Sequence, residues 1–155
     1  MRREIAIGMA FALGACASGG AQPPPLAPLA ADQAQPVLAL FEHVLAGYFA
    51  SAGANGPTTC ARLSPNPLTS AQERALIARF VRLAPAERCI STVQGMADAI
   101  TGDPAQMVQV YEFACQSPAL CSGWVQTPGA PATRYAMRFE SGVWRFDSDR
   151  RIIAE

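Results

Sequence analysis

The hydrophobic pattern predicts two helices in the first half of the chain. Pro36 can open a helix, because the first turn does not need its backbone N–H. Apolar side chains then recur at helical spacing for about 15 residues. This stripe consists of Val37, Phe41, Val44 and Tyr48. His43, the single histidine of the chain, falls on the opposite helix face, where we expect it to be solvated.

A second helix is predicted between Thr69 and about Leu83. Two overlapping capping boxes are possible at its start, Thr69 with Gln72 and Ser70 with Glu73. In such a box each side chain bonds the backbone N–H of the other residue. Pro85 ends the helical pattern. The expected buried side consists of Leu76, Ile77, Phe80 and Val81.

Strands are predicted in the remainder of the chain, and the C-terminal segment has the clearest alternation. Short strands are expected at 58–63, 89–93, 106–115 and 121–127, with Met107, Tyr111, Phe113 and Cys115 on one side of the third. Apolar and polar positions then alternate over 133–140, and Ser141-Gly142 is typical of a two-residue hairpin turn. That turn predicts the opposing pairs Phe139–Trp144, Met137–Phe146 and Tyr135–Ser148.

The other face of this hairpin carries charged side chains. The same register places Arg138 opposite Arg145 and Arg134 opposite Asp149. One interpretation is a solvated ladder in which these arginines are neutralised by neighbouring carboxylates and contribute little stability. The other is a site where Arg134, Arg138 and Arg145, together with Arg150, bind an anionic group or partner.

The order of elements predicts an α+β fold, with two N-terminal helices packed on a curved antiparallel β-meander. In outline this order is similar to cystatin-like or nuclear-transport-factor-like rolls, in which a sheet wraps around a helix. The similarity is one of element order only. It therefore transfers no functional residues to this chain.

The N-terminal segment has the organisation of an export signal. Arg2 and Arg3 precede an apolar run over 5–13, and small residues follow. Leu13-Gly14-Ala15-Cys16 resembles a bacterial lipobox. The resemblance implies cleavage before Cys16, acylation of its thiol, and attachment to the outer membrane, because Ala17 and not aspartate follows. Ordinary cleavage after Ala17 is the alternative and would give a periplasmic or secreted protein.

This interpretation divides the chain into three parts. Residues 1–15 are the signal peptide, 16–35 are the lipidated cysteine with a tether rich in proline and alanine, and 36–155 form one domain. The tether has too few apolar side chains to fold, and its proline run favours an extended chain. It would hold the domain up to roughly 60 Å from the membrane.

Five cysteines occur, and removing Cys16 from the count leaves an even number. In an oxidising compartment an even number indicates disulfides, and four cysteines allow three connectivities. We favour Cys60–Cys89 and Cys115–Cys121 because these cysteines are neighbours in sequence. The first bridge would tie two predicted strands across the helix between them, and the second would close the end of a predicted hairpin. Metal binding is the alternative, but the chain has no C-x-x-C motif and its one histidine is distant in sequence.

Charge and motifs limit the functions that the sequence supports. Twelve arginines balance twelve carboxylates, so nothing favours a nucleic-acid partner. Motifs for hydrolases, phosphate loops and dinucleotides are missing from the sequence, and no cofactor is predicted. We therefore expect a non-catalytic binding module that is attached to the membrane by lipid and contacts an envelope protein or a small ligand. A roll that binds ligands or catalyses a reaction, and an inhibitor of periplasmic enzymes, are the alternatives.

Overall fold

Two α-helices and eight strands form an α+β fold in a computed structural model that describes residues 25–52 and 56–149. The α+β prediction is confirmed. The helices are α1 (Pro36–Ser51) and α2 (Ser70–Ile77). The strands are β1 (Thr58–Ser64), β2 (Leu83–Ala84), β3 (Cys89–Thr92), β4 (Gly95–Asp98), β5 (Ala105–Ser117), β6 (Leu120–Gln126), β7 (Thr133–Glu140) and β8 (Val143–Asp149). Within these ranges, no helix is long and apolar enough to cross a membrane.

The main sheet has six strands in the order β2-β1-β5-β6-β7-β8. Strands β5 to β8 form the predicted antiparallel meander, but β1 is parallel to both β2 and β5. Parallel neighbours need a long crossover, which helix α2 and the chain between β1 and β5 supply. Strands β3 and β4 pair with each other in a separate hairpin, which the sequence pattern did not predict.

Both helices cover one side of the main sheet, which we call the helix face. Helix α1 packs against β5, β8 and α2, and its apolar stripe is buried at Val37, Phe41 and Val44 and half-buried at Tyr48. Phe41, Leu40 and Leu45 have no solvent exposure. They meet Val108 and Val110 of β5 and Met137 and Trp144 of the C-terminal hairpin. Burial of these side chains is the main stabilising contribution to the fold.

Helix α2 is shorter than the sequence pattern predicts. Thr69 caps it in the expected capping box with Gln72, but the helix ends at Ile77. Leu76 is buried as predicted, whereas Val81 is fully exposed, so its predicted burial is wrong. The cause is tertiary pairing: the chain unwinds after α2 so that Leu83 becomes buried beside β1 as part of strand β2.

A bulge in β5 changes which side chains face the core. Glu112 has a φ of 50°, and the pairing with β6 shifts between Tyr111 and Ala114. The predicted common side for Met107, Tyr111, Phe113 and Cys115 is therefore wrong. Before the bulge Val108 and Val110 face the helices, and after it Phe113 packs into the same core. An extra residue in one strand exchanges the two faces in this way.

The C-terminal hairpin has the predicted register. Phe139 opposes Trp144, Met137 opposes Phe146, and Tyr135 opposes Ser148. Ser141 and Gly142 both have positive φ, at 53° and 79°, as a type I′ turn requires. Local turn chemistry and strict alternation agree throughout this hairpin.

Both predicted disulfides are present. Cys60–Cys89 joins β1 to β3, and Cys115–Cys121 joins two residues that are directly opposed on β5 and β6. The first bridge lies on the side of the sheet opposite the helices, which we call the outer face. There it forms a small second core beneath the β3–β4 hairpin, together with Ala84 and Ala105. Disulfides of this kind are typical of proteins in oxidising compartments.

A buried carboxylate also holds the β3–β4 hairpin against β1. Asp98 is 1% exposed, pairs with Arg88, and accepts a hydrogen bond of 2.8 Å from the Thr58 hydroxyl. The Arg88 guanidinium, supported by the Ile100 backbone N–H, holds the pKa of Asp98 well below its usual range. These contacts favour the charged form of Asp98, which is a structural partner of Arg88 and Thr58.

The folded part of the chain begins before Pro36. Residues 29–31 form a 3₁₀ turn, and Leu29 is buried in the main core. The Ala30 N–H donates to Glu42 Oε2 at 3.2 Å, and the Trp144 indole donates to the Asp32 carbonyl at 3.1 Å. We call residues 25–35 the docked segment. Cys16 and the remainder of the predicted tether, 17–24, lie outside the described residues.

Candidate functional site

The outer face of the sheet is covered at one end only. The β3–β4 hairpin lies over the β1–β5 end, where the Cys60–Cys89 bridge holds it. Over β5 to β8, the outward side chains are exposed or half-buried. This open part of the sheet contains three of the arginines that the sequence nominates as a partner site, Arg134, Arg138 and Arg145.

Cross-strand pairing arranges these side chains in three rows. Tyr111, Trp124 and Arg134 form the first row, because Trp124 pairs with both of the others. The middle row contains small side chains and ends at a carboxylate; its members are Ala114, Ser122, Ala136 and Asp147. The third row is Leu120, Arg138 and Arg145. The large side chains of the first and third rows therefore lie on both sides of a middle row of mostly small side chains.

We call this arrangement the outer trough. An open depression of about 640 Å³ lies between Arg134 and Arg138, with Ala136 and Asp147 in its lining, and the Tyr111–Trp124 pair stands beside it. Arg134 and Arg138 are four residues apart on β7, so their backbone positions are about 13 Å apart. Four strands at their usual spacing make the trough about 14 Å long. These dimensions suit a short extended segment of a partner molecule.

The aromatic end of the trough is ordered by stacking. The Tyr111 and Trp124 rings lie nearly parallel, with centroids 6.4 Å apart and planes 11° apart. Both rings are half-buried, so one part of each remains accessible on the outer face. Arg134 follows Trp124 directly across the next strand. A flat aromatic surface beside a guanidinium is thus presented to solvent.

The charges on this face differ from the predicted ladder. Arg138 opposes Arg145 as expected, but Arg138 forms its ion pair along its own strand, with Glu140 Oε1 at 3.2 Å. Both partners are more than half exposed, and such pairs contribute little to stability. Within the described side chains, this is the one ion pair of the trough face. The Asp149 side chain and all of Arg150 lie outside the described part.

Sequence reasoning found the arginines of this site but missed its aromatic row. Trp124 lies on a predicted strand, yet its neighbour Tyr111 was assigned to the same side as Phe113. Only the bulge at Glu112 separates these two side chains onto opposite faces. A positive φ at a glutamate leaves no pattern in the sequence.

His43 does not form a catalytic constellation with its described neighbours. Its ring is exposed on one side and stacks on Phe146, with centroids 4.3 Å apart, while Tyr135 approaches edge-on at 5.7 Å. Partial burial lowers the pKa of His43. Its contacts are aromatic, and no hydrogen bond to a carboxylate orients it among the described residues. In the same part of the chain, no metal-ligating side chains cluster in threes.

Comparison with known proteins does not assign the chain to a family. No protein-family model, curated protein or solved structure matches it. The fold and the site together define an α+β domain with two disulfides and an open, arginine-bearing sheet face. Its function is therefore inferred from the chemistry of its own residues.

Proposed function

We propose that this protein is a lipid-anchored component of the bacterial cell envelope that binds a protein partner through the outer trough. The observation that carries the proposal is the low row of small side chains between an aromatic row and an arginine row. The helix face is occupied by the protein's own core, whereas the outer face over β5 to β8 is open. We infer binding, because the described side chains of the trough are those of a recognition surface.

The side chains of the trough are those that dominate protein–protein interfaces. Trp, Tyr and Arg are enriched among the residues whose truncation costs most binding energy, and all three stand in one row here. The small floor at Ser122 and Ala136 admits side chains of a partner. Arg134, Arg138 and Arg145 outnumber Asp147 and Glu140, the two carboxylates of the described trough face, so this surface favours an acidic segment.

The anchoring part of the proposal depends on the lipobox-like residues before Cys16 and on the disulfides. Two bridges fit an exported protein, and the resemblance at Leu13-Gly14-Ala15-Cys16 supports lipid attachment on the periplasmic side of the outer membrane. For the fold, we propose a roll of the cystatin-like or nuclear-transport-factor-like kind. Helix α1, which lies on the face of the antiparallel meander, supports this finer assignment.

Metabolic labelling tests the anchor. Cells that express the full chain and receive an alkyne-bearing fatty acid should incorporate the label into this protein, because the Cys16 thiol is the acylated group. The variant Cys16→Ser should lose the label completely. Cys115→Ser is the matched control and should keep it. Labelling of the Cys16→Ser protein would refute lipid attachment at that residue.

Photo-crosslinking tests the trough. A benzoylphenylalanine placed at Ala136 should capture a discrete partner in intact envelopes, and the captured peptide should be acidic. The same probe at Ala46, an exposed residue of α1, should not capture that partner. Equal capture from both positions would contradict the assignment.

Substitutions in the trough test how much its side chains contribute to the affinity for the captured partner. Ala136→Arg fills the floor without touching the core, and Arg134→Glu reverses one charge, so each should weaken the captured complex by about 30-fold or more. Arg74→Ala on the exposed side of α2 should leave the affinity unchanged. Titration of the captured partner with purified variants measures these constants. An unchanged affinity in Ala136→Arg would exclude the trough as the binding surface.

A further inference from the structure

A second concave site lies on the opposite side of the sheet from the trough. It is formed where the C-terminal half of α1 crosses the start of β5, the end of β6 and the start of β7. Its volume is about 620 Å³, which is within the range of small-molecule sites. We call it the helix groove. It adjoins the main core but is open to solvent at Gly47.

Aromatic and amide groups give the helix groove its chemistry. His43, Tyr48 and Tyr135 supply ring surfaces, and Gln106 and Thr127 supply hydrogen-bonding groups. Stacking on Phe146 fixes the orientation of the His43 ring. The Tyr48 hydroxyl donates to Gln106 Oε1, so these two walls are held together across the helix–sheet boundary. The polar groups are thus positioned before any ligand arrives, which lowers the entropic cost of binding.

The described residues that line the helix groove include no aspartate, glutamate, lysine or arginine. This distinguishes the groove from the trough, where arginines surround the depression. A charged ligand would lose hydration in the groove and find no opposite charge to replace it. An uncharged ligand loses little hydration and gains ring contacts and one or two hydrogen bonds.

Gly47 is the second independent feature of this site. A glycine inside a helix is less favourable than alanine by about 1 kcal/mol, through the entropy of the unfolded chain. Close packing usually explains such a glycine, but a Cβ at Gly47 would meet no atom within 4 Å. The missing side chain therefore leaves an opening on the helix side of the groove. It does not make room for a neighbouring helix or strand.

From these features we infer that the helix groove binds a small, uncharged aromatic molecule of one or two rings. The ring lies over the gap at Gly47, beside the edge-on pair of His43 and Tyr135, and the Gln106 side chain provides hydrogen-bonding groups for a polar substituent. This activity is separate from the trough. It requires neither the lipid anchor nor a protein partner.

Titration with indole, monitored by backbone amide NMR of the folded domain, tests the inference. Indole should bind saturably with a dissociation constant of about 1 mM or lower, and the largest shifts should fall on residues around Gly47. Indole-3-acetate and tryptamine carry opposite charges on the same ring, and each should bind at least about tenfold more weakly. Equal binding of either charged compound would overturn the claim of an uncharged site.

Filling the helix groove provides the matched variants. Gly47→Leu should abolish the saturable shifts, whereas Ala46→Leu, one residue away and outside the groove lining, should bind indole as the native chain does. His43→Ala removes one ring wall without filling space, and it should weaken binding at least about fivefold even if Gly47→Leu folds poorly. Undiminished binding in His43→Ala, or indole shifts clustered elsewhere, would refute the site.

Discussion

Replacing both Cys60 and Cys89 by alanine should lower the free energy of unfolding by about 3–4 kcal/mol. The bridge links residues 29 apart in sequence, so its loss releases a long loop in the unfolded chain. The replacement also removes two sulfur atoms from the small core beneath the β3–β4 hairpin, where Cys60 is fully buried. Urea unfolding followed by far-UV circular dichroism measures the change.

The second bridge is the matched control for this experiment. Cys115 and Cys121 are only 6 residues apart. In the chain-entropy model, replacement of this pair should therefore cost only about 2 kcal/mol. The order of the two effects is the critical result. A larger loss from the Cys115–Cys121 replacement would show that loop entropy does not govern the stability of this domain.

Trp144→Ala should lower the free energy of unfolding by about 3–5 kcal/mol, the usual cost of truncating a large aromatic in a core. Trp144 is 2% exposed and packs edge-on against Phe139, with ring centroids 5.3 Å apart. Its indole N–H also donates to the Asp32 carbonyl and so holds the docked segment. The truncation therefore leaves a cavity and an unpaired carbonyl at the same place.

Trp144→Phe separates these two contributions. It keeps most of the ring volume but removes the indole donor, so it should cost only about 1–2 kcal/mol. Hydrogen exchange should then accelerate in the docked segment for both variants, and in the main core only for Trp144→Ala. If the docked segment stayed fully protected in both, the indole hydrogen bond would not be what holds it.

The part of the fold that the sequence predicted best is the part whose determinants are local. In the C-terminal hairpin, Ser141-Gly142 sets the turn, and alternation then assigns every later residue to a face. The register of Arg138 and Arg145 followed from the same two facts. Each disulfide also joins two cysteines that follow one another in the sequence, which is why order along the chain sufficed to predict both pairings.

The features that sequence reasoning missed depend on distant contacts. The parallel pairing of β1 with β5 joins segments that are more than 40 residues apart, and no periodicity records the direction of a partner strand. The early end of α2 is caused by the burial of Leu83 against β1. The aromatic row of the trough depends on a backbone conformation at Glu112. In each case tertiary pairing outweighed local propensity.

The docked segment shows a different reason why a prediction from the sequence departs from the structure, in this case the prediction that the tether up to residue 35 does not fold. Its average composition suggests a chain that cannot fold, but averages ignore single well-placed groups. Leu29 alone reaches the main core, and donors from Gln33, Arg79 and Trp144 form hydrogen bonds between this segment and the domain. One buried apolar side chain and a few hydrogen-bonded carbonyls are sufficient to hold this segment on the domain when the rest of the domain is already folded.

The docked segment also limits how far the domain can lie from the proposed lipid anchor. Under the proposed anchoring, only eight residues separate Cys16 from Pro25, and the nine Cα–Cα steps between them span at most about 30 Å. That is half the reach of a tether extending to Pro36, and close to the diameter of a domain of this size. The domain would therefore stay within a thin layer above one leaflet. Its effective concentration would be high for proteins on the same membrane surface and negligible for proteins across the periplasm.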